Sequence, residues 1–263
     1  MKYNLVAAIP VKDEEWIIGK TLDSLSRFCN KIVVQDDGSL DKTKEICESF
    51  DKVDFGVRSP NSILETGMSG RGKAALLAKV LDYDPDYVLM LDADEIPTPN
   101  IVEFLDNIDS TINAFSVRMI NLYKDRNHYR TDSFVTSHGI NINHNPFSNP
   151  CWRKTVLLKA DSVKEVGNYR YQDKAIGSVS KYHPLPENIP SPVIDTEGFY
   201  IMHYGKLNEK YTSGEKHKSY ARIEEQAGTS MWGSYENIFE HHETCRKEGV
   251  PTYEECKSDW FWK

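Results

Sequence analysis

Residues Tyr87–Glu95, YVLMLDADE, decide the fold: five largely apolar residues run straight into three carboxylates within four positions. A short apolar run that ends at a polar cluster reads as a buried strand. Ionised carboxylates are costly to bury and repel one another. The end of this strand is therefore either a solvated acidic turn or a place that holds something positive. Upstream, NLVAAI (4–9) is a second apolar run, stopped by Pro10, and EEWIIGKTLDSLSRF sets Ile18, Leu22, Leu25 and Phe28 on one helical face, with acids at its start to suit the helix dipole. KIVVQ then ends in Asp36-Asp37-Gly38-Ser39, and Ser39 or Asp41 can cap the next helix, which carries Ile46, Cys47 and Phe50. KAALLAKVLD precedes YVLML as a third helix, and Pro97 and Pro99 open a fourth, IVEFLDNI. Strands alternating with helices predict a mainly parallel sheet covered on both faces. In such sheets ligands bind beyond the carboxyl ends of the strands, where the clusters VKDEE, DDGS and DADE all fall.

After residue 110 the rhythm changes. AFSVRMINLY alternates in part like an antiparallel strand, 123–150 is polar, and TVLLKA and FYIMHY read as further strands. From Lys206 the chain is charged and Tyr-rich, which predicts helix. The expected architecture is one mixed α/β domain over 1–205 with a helical extension over 206–263 packed on it.

The 263 residues suffice for a sizeable core. A net charge of −8 argues against a nucleic-acid binder, which would carry a basic excess. The five cysteines, Cys29, Cys47, Cys151, Cys245 and Cys256, are odd in number and scattered without a C-x-x-C, which predicts a reducing compartment rather than a disulfide framework. The start, MKYNLVAAIPVKDEE, lacks the apolar core of a signal peptide, and no apolar run approaches the roughly 20 residues of a membrane span. The expectation is a cytoplasmic chain with no transmembrane segment, peripheral membrane contact staying open.

Four constellations carry candidate chemistry. Asp92 and Asp94 flank Ala93 where a strand ends, and hard carboxylate oxygens suit Mg²⁺ or Mn²⁺ bridged to substrate phosphates. In DDGS, a glycine turn after a strand lets a ligand approach, and Asp37 can accept a hydrogen bond from a nucleobase; a helix-capping loop explains the same residues equally well. Gly67-Met-Ser-Gly-Arg-Gly-Lys73 nearly spells a P-loop, but Ala74 stands where the metal-binding hydroxyl belongs and no buried strand precedes it. Arg71 or Lys73 at a helix start can still meet a diphosphate, or simply water. Lastly His203 closes the apolar strand of YIMHYG, followed by Lys206 and Lys210: a core histidine or a third metal ligand, with lysines facing a leaving phosphate or solvent.

Taken together, AAIPVKDEEWIIGKTLDSL, IVVQDDGSLDKT and VLMLDADE resemble the opening blocks of family 2 glycosyltransferases of the GT-A fold: P-x-x-N-E, then D-D-G-S-x-D-x-T, then D-x-D. The likeness covers about residues 4–105, with IMHYGKLNEKY matching more loosely, and departs from the pattern at Asp13, where the family usually has Asn. The resemblance implies a cation, Mn²⁺ or Mg²⁺, on the diphosphate of a nucleotide-sugar. Asp94 would be its chief ligand, Asp92 would be shared between metal and ribose, and His203 would complete the site. Pro10, Val11, Glu14, Asp37, Arg71, Lys73, Asp92 and Ala93 would line the nucleotide, and a UDP-sugar is favoured.

The implied reaction is inverting sugar transfer to a hydroxyl of a carbohydrate-containing acceptor (glycan, lipid-linked glycan or glycoprotein). A carboxylate would act as base. Asp173 in NYRYQDKAIG is the candidate, with Glu165 and Glu197 behind it. Trp152, Tyr169, Tyr171 and Tyr182 can floor a sugar ring or serve as core. Two rivals stand beside this reading. One is a haloacid-dehalogenase-type phosphohydrolase, which would begin with its D-x-D strand instead of reaching it at residue 92. The other is a non-catalytic nucleotide-sugar or glycan-binding protein.

Overall fold

The computed structural model describes residues 2–58, 70–135, 141–143, 145–148, 153–163, 169–171, 184–186, 192–208, 247–248 and 251–263. Sixteen strands are assigned among these residues. The first nine are β1 (Leu5–Val11), β2 (Lys31–Asp36), β3 (Val53–Val57), β4 (Tyr87–Met90), β5 (Glu95–Pro97), β6 (Ala114–Asn121), β7 (His128–Arg130), β8 (Ser133–Val135) and β9 (Asn141–Asn143). The rest are β10 (Arg153–Lys159), β11 (Tyr169–Tyr171), β12 (Pro184–Pro186), β13 (Val193–Asp195), β14 (Ile201–His203), β15 (Lys247–Glu248) and β16 (Tyr253–Glu255). The main sheet runs β3-β2-β1-β4-β10-β6-β14-β5, with β13 beside the start of β6. The first four strands are parallel, β10 lies antiparallel between β4 and β6, and β14 is again parallel to β6. This is the mixed, mainly parallel sheet that the alternating pattern predicts.

The parallel half was readable because its strands are buried on both faces and so appear as unbroken apolar runs. Val6, Ala7, Ala8 and Ile9 of β1 are all wholly buried. One face carries the helices Ile18–Ser26 and Ile101–Asp106, which bring Ile18, Leu22, Leu25, Ile101 and Leu105 onto Ala7, Ile9, Leu89 and Val117. The other face receives Leu76, Leu77 and Val80 of the helix Gly70–Leu81, packed on Val6, Ala8, Val33, Val88 and Met90. No helix among the described residues is long and apolar enough to cross a membrane.

The expected helical extension meets a different observation. Residues 209–246 lie outside the described set. The described end of the chain is β16, paired antiparallel with β7, followed by a 3₁₀ turn at Ser258–Trp260. Its aromatic residues explain why it docks: Trp260 joins Ile96, Ile120 and Met202, while Trp262 stacks on Phe28 at 5.5 Å and donates its indole N–H to the Pro97 carbonyl at 2.7 Å. Burial of Trp260 and partial burial of Trp262 hold this end against the rest of the fold.

Candidate functional site

The loops VKDEE and DDGSLDKT are stitched to one another. Asp13 has φ +53°, a left-handed conformation that Asn and Asp tolerate best, so Asp in place of Asn conserves the backbone shape. Its N–H donates to Ser39 Oγ at 2.8 Å and its carboxylate accepts the Leu40 N–H at 2.8 Å. The Glu14 N–H reaches Thr43 Oγ1 at 2.9 Å, and the Glu15 N–H reaches Asp41 Oδ2 at 3.0 Å. Asp36 takes both the N–H and the hydroxyl of Ser39. Of the two residues expected to cap the helix Thr43–Glu48, Asp41 accepts the Thr43 N–H at 3.0 Å and Ser39 does not take part. Most of the D-D-G-S-x-D-x-T block is thus spent on building the loop.

Asp37 is not spent in that way. Its N–H donates to the Val11 carbonyl at 2.9 Å, fixing it at the end of β1, and Gly38 follows at φ +82° with open space beside it. The carboxylate is 3% exposed and lies 3.0 Å from an Arg58 guanidinium nitrogen, yet among the described residues Oδ1 has no aligned hydrogen-bond donor. Burial pushes its pKa up to about 6 against the opposing pull of Arg58 and Lys12. Lys12 donates to the Asp37 carbonyl at 2.9 Å. A buried acceptor beside an open glycine turn suits the N–H of a planar ring. Pro10 and Val11 close β1 beside it, whereas the Glu14 carboxylate accepts the Trp16 indole N–H at 2.7 Å.

The D-x-D acids sit in a turn closed by the Glu95 N–H donating to the Asp92 carbonyl at 3.1 Å. Thr21 of the first helix holds that turn through the Ala93 carbonyl at 2.6 Å, and the Tyr204 N–H holds the Asp94 carbonyl at 2.9 Å. Strand register aligns Asn121 (β6), His203 (β14) and Glu95 (β5) in one row. His203 Nδ1 donates to Asn121 Oδ1 at 2.6 Å, which fixes the ring with Nε2 3.6 Å from Asp94 Oδ2. That separation is too long for a hydrogen bond and suits two ligands of one ion. Beside them Gly205 leaves the space between the two side chains open: a Cβ there would stand 2.5 Å from Asp94 Oδ2 and 2.7 Å from His203 Nε2.

The two D-x-D acids point to different partners. Asp92 Oδ2 accepts from Lys154 Nζ at 2.9 Å, and the same ammonium donates to Glu95 Oε2 at 2.5 Å. Glu95 also accepts the Asp92 N–H at 2.8 Å. Lys154 is 3% exposed and Glu95 1%. Burial alone would lower the Lys154 pKa, but Asp92 and Glu95 overcome it and hold the ammonium charged above its usual range. Lys154 and Glu95 join the candidate site without having been expected there. Glu95 was visible as the third acid of DADE, while nothing near Lys154 marked it.

Among the described residues no set of three or more His, Cys, Asp or Glu closes around one point. The protein offers the pair Asp94 and His203, which fits a cation that takes its remaining ligands from phosphate and water. Of the other expected residues, Arg71 and Lys73 fall in the first turn of the helix Gly70–Leu81, with side chains outside the described set. Asp173, Glu165, Trp152 and Tyr182 lie outside it altogether, and Tyr169 and Tyr171 are described in backbone only. Glu197 is held by Arg118 through 2.7 Å contacts and by Arg153, which keeps its carboxylate occupied.

Comparison with known proteins yields a family match over residues 7–166, to the family described as Glycosyl transferase family 2. An uncharacterized protein of Methanocaldococcus jannaschii, MJ1222, is 36% identical over 103 residues, 39% of this chain and 40% of its own. Among solved structures, S. aureus TarS 1–349 in complex with UDP-GlcNAc is 14% identical with a TM-score of 0.45, over 92% of this chain and 73% of that one. The Mycobacterium tuberculosis glucosyl-3-phosphoglycerate synthase, in complex with Mn²⁺, uridine diphosphate and glucosyl-3-phosphoglycerate, is 22% identical with a TM-score of 0.35, over 46% of this chain and 45% of that one. The chain thus spans less than half the length of the curated relative it matches.

Proposed function

Because the chain belongs to glycosyl transferase family 2, we propose that it moves a sugar from a nucleotide-diphosphate donor to an acceptor hydroxyl, with inversion and with the help of a divalent cation. The family match sets aside the dehalogenase-type phosphohydrolase. The observation that carries the metal-dependent reading is the Asp94–His203 pair, held open by Gly205. An imidazole beside a carboxylate favours Mn²⁺ over Mg²⁺, whose partners are almost wholly oxygen. When bound, the cation stabilises charge developing on the leaving diphosphate.

The chain's own residues supply the rest. Asp37 accepts the N–H of a nucleobase, and Gly38 lets the base approach without a side chain in the way. Lys12, pinned between the Asp37 and Gly38 carbonyls, brings a positive charge to the same loop. Arg71 and Lys73 meet the phosphates, and Ala93 and Pro10 wall the nucleoside. The acceptor oxygen attacks the anomeric carbon while the bond to the diphosphate breaks on the opposite side; Asp173 takes the acceptor proton. The donor is a UDP-sugar and the acceptor a carbohydrate-containing molecule. The domain limits 1–205 and 206–263 and a cytoplasmic location belong to the same reading.

Calorimetric titration of UDP, GDP and dTDP, with Mn²⁺ and then with EDTA, tests it. UDP is expected to bind with Mn²⁺ and to lose most of its affinity in EDTA. Absence of binding by any nucleotide under either condition would overturn the reading.

Asp37 adds a pH signature. The ionised carboxylate accepts an imide N–H more strongly than the protonated form, in which one oxygen has become a donor. With a pKa of about 6, binding should be full above that value and should weaken by up to about tenfold per pH unit below it. UDP phosphate also titrates in this region, so Asp37→Asn serves as the reference. Its UDP affinity should be lower at pH 8 and should lack the additional fall. Parallel pH profiles for the two proteins would remove Asp37 from the base-binding role.

A further inference from the structure

The paired acids of D-x-D need not serve one cation. Lys154 is buried at the centre of the acidic turn, donating to Asp92 at 2.9 Å and Glu95 at 2.5 Å, while Asp94 faces His203 from the other side. Its presence there depends on a local irregularity in β10. Lys154 pairs with Val117 and Thr155 with Ser116, but Leu157 pairs with Phe115, so Val156 is an extra residue in the ladder. An extra residue reverses the in–out alternation of the strand on one side of it. Leu157, Val117 and Phe115 all face the helices Ile18–Ser26 and Ile101–Asp106. Without the bulge, Lys154 would point to the opposite face, towards Val88 and Met90. With it, the lysine is turned, opposite Val117, to the face that carries Asn121, His203 and Glu95.

A buried ammonium needs carboxylate partners, and a buried carboxylate needs a cation. From these contacts we infer that Lys154 is a positioning residue that divides the acidic turn between two positive charges: a permanent one, its own, which holds Asp92 and Glu95, and an exchangeable one, the divalent ion, left to Asp94 and His203. The inference rests on the metal-dependent reading above and deepens it. Lys154 keeps Asp92 turned away from the ion, so that the ion stays under-coordinated by protein and open to the donor's phosphates. Asp92 is then available to the nucleotide-sugar rather than to the metal.

Mn²⁺ titrated alone into the full chain tests this, for the native protein and for Lys154→Met, Lys154→Arg and the double variant Lys154→Met/Glu95→Gln. Removal of the ammonium should free Asp92 as an extra ligand, so Lys154→Met is expected to bind Mn²⁺ at least tenfold more tightly. Lys154→Arg should restore native affinity, and adding Asp92→Asn to Lys154→Met should cancel the gain. A lysine with a merely structural role would not produce that pattern. Should Lys154→Met fail to fold, the double variant removes a buried opposite-charge pair together and carries the same expected gain. Mn²⁺ affinity that is unchanged or weaker in the folded variants overturns the inference while leaving the function reading intact. A native chain that binds no Mn²⁺, with or without UDP, overturns both.

Discussion

Asp94→Ala is expected to abolish Mn²⁺-dependent nucleotide binding and sugar transfer while leaving the protein folded. The two parts of this expectation have separate physical grounds. Asp94 holds the fold together through its backbone: its carbonyl accepts the Tyr204 N–H at 2.9 Å, a bond that alanine retains. Its carboxylate is buried, with 7% of the side chain exposed, beside two more acids at Asp92 and Glu95. Removal of one charge from such a group relieves repulsion, so stability should change by no more than about 1 kcal/mol.

The functional loss should be much larger. Asp94 is one of the two candidate protein ligands brought together among the described residues, and even partners that merely orient a ligand are worth about 10–100-fold in metal affinity. A loss of at least about a hundredfold in nucleotide affinity with Mn²⁺ is expected, with the weak affinity expected in EDTA unchanged. Calorimetry of UDP with Mn²⁺, paired with a thermal melt, reads both quantities. Nucleotide affinity equal to that of the native chain would show that the cation is held elsewhere.

The place of Asp94 just beyond the end of β4 was legible in the sequence, and the reason is physical. A parallel strand buried on both faces appears as an apolar run, so the point where polarity begins marks the carboxyl end and hence the ligand edge. The same logic made β1, β2 and β4 and their three loops readable. It gave no means of separating the roles within a loop: Asp36, Ser39, Asp41 and Thr43 hold backbone groups, and only Asp37 next to them is left with an unaligned oxygen. Lys154 was not legible because TVLLKA begins one residue after it, and a lysine at the head of a strand looks solvated. The bulge at Val156 decides which face it takes, and a one-residue change of register has no local sequence signal. The docking of the described end, 251–263, was not legible for a related reason. DWFWK is visibly aromatic, but its partners, Phe28 and the Pro97 carbonyl, are distant in sequence.

Gly205→Ala is the more exacting test of the metal site, because it adds one methyl group and removes no ligand. Gly205 follows β14 by two residues, and its backbone lies against the space between Asp94 and His203. The new Cβ would meet Asp94 Oδ2 at 2.5 Å and His203 Nε2 at 2.7 Å, both far inside contact distance. These atoms are side-chain tips, so the backbone can stay and the tips must part. His203 is tethered through Asn121 at 2.6 Å and resists the movement, which puts the cost in the range of other overpacked sites, about 1–3 kcal/mol. Once the tips part, the two ligands no longer converge and the methyl group occupies the space between them. Mn²⁺ binding should therefore fall as far as in Asp94→Ala, although both ligands are present. The Asp37 loop lies at the end of β1 and β2, across β4, β10 and β6 from β14, so metal-independent nucleotide binding and its pH dependence should be untouched. A glycine needed only for its backbone would give a different result: lowered melting temperature with native Mn²⁺ affinity in the fraction that folds. That outcome would mean that the ion does not sit between Asp94 and His203, and the pair would have to be reassigned as a structural contact.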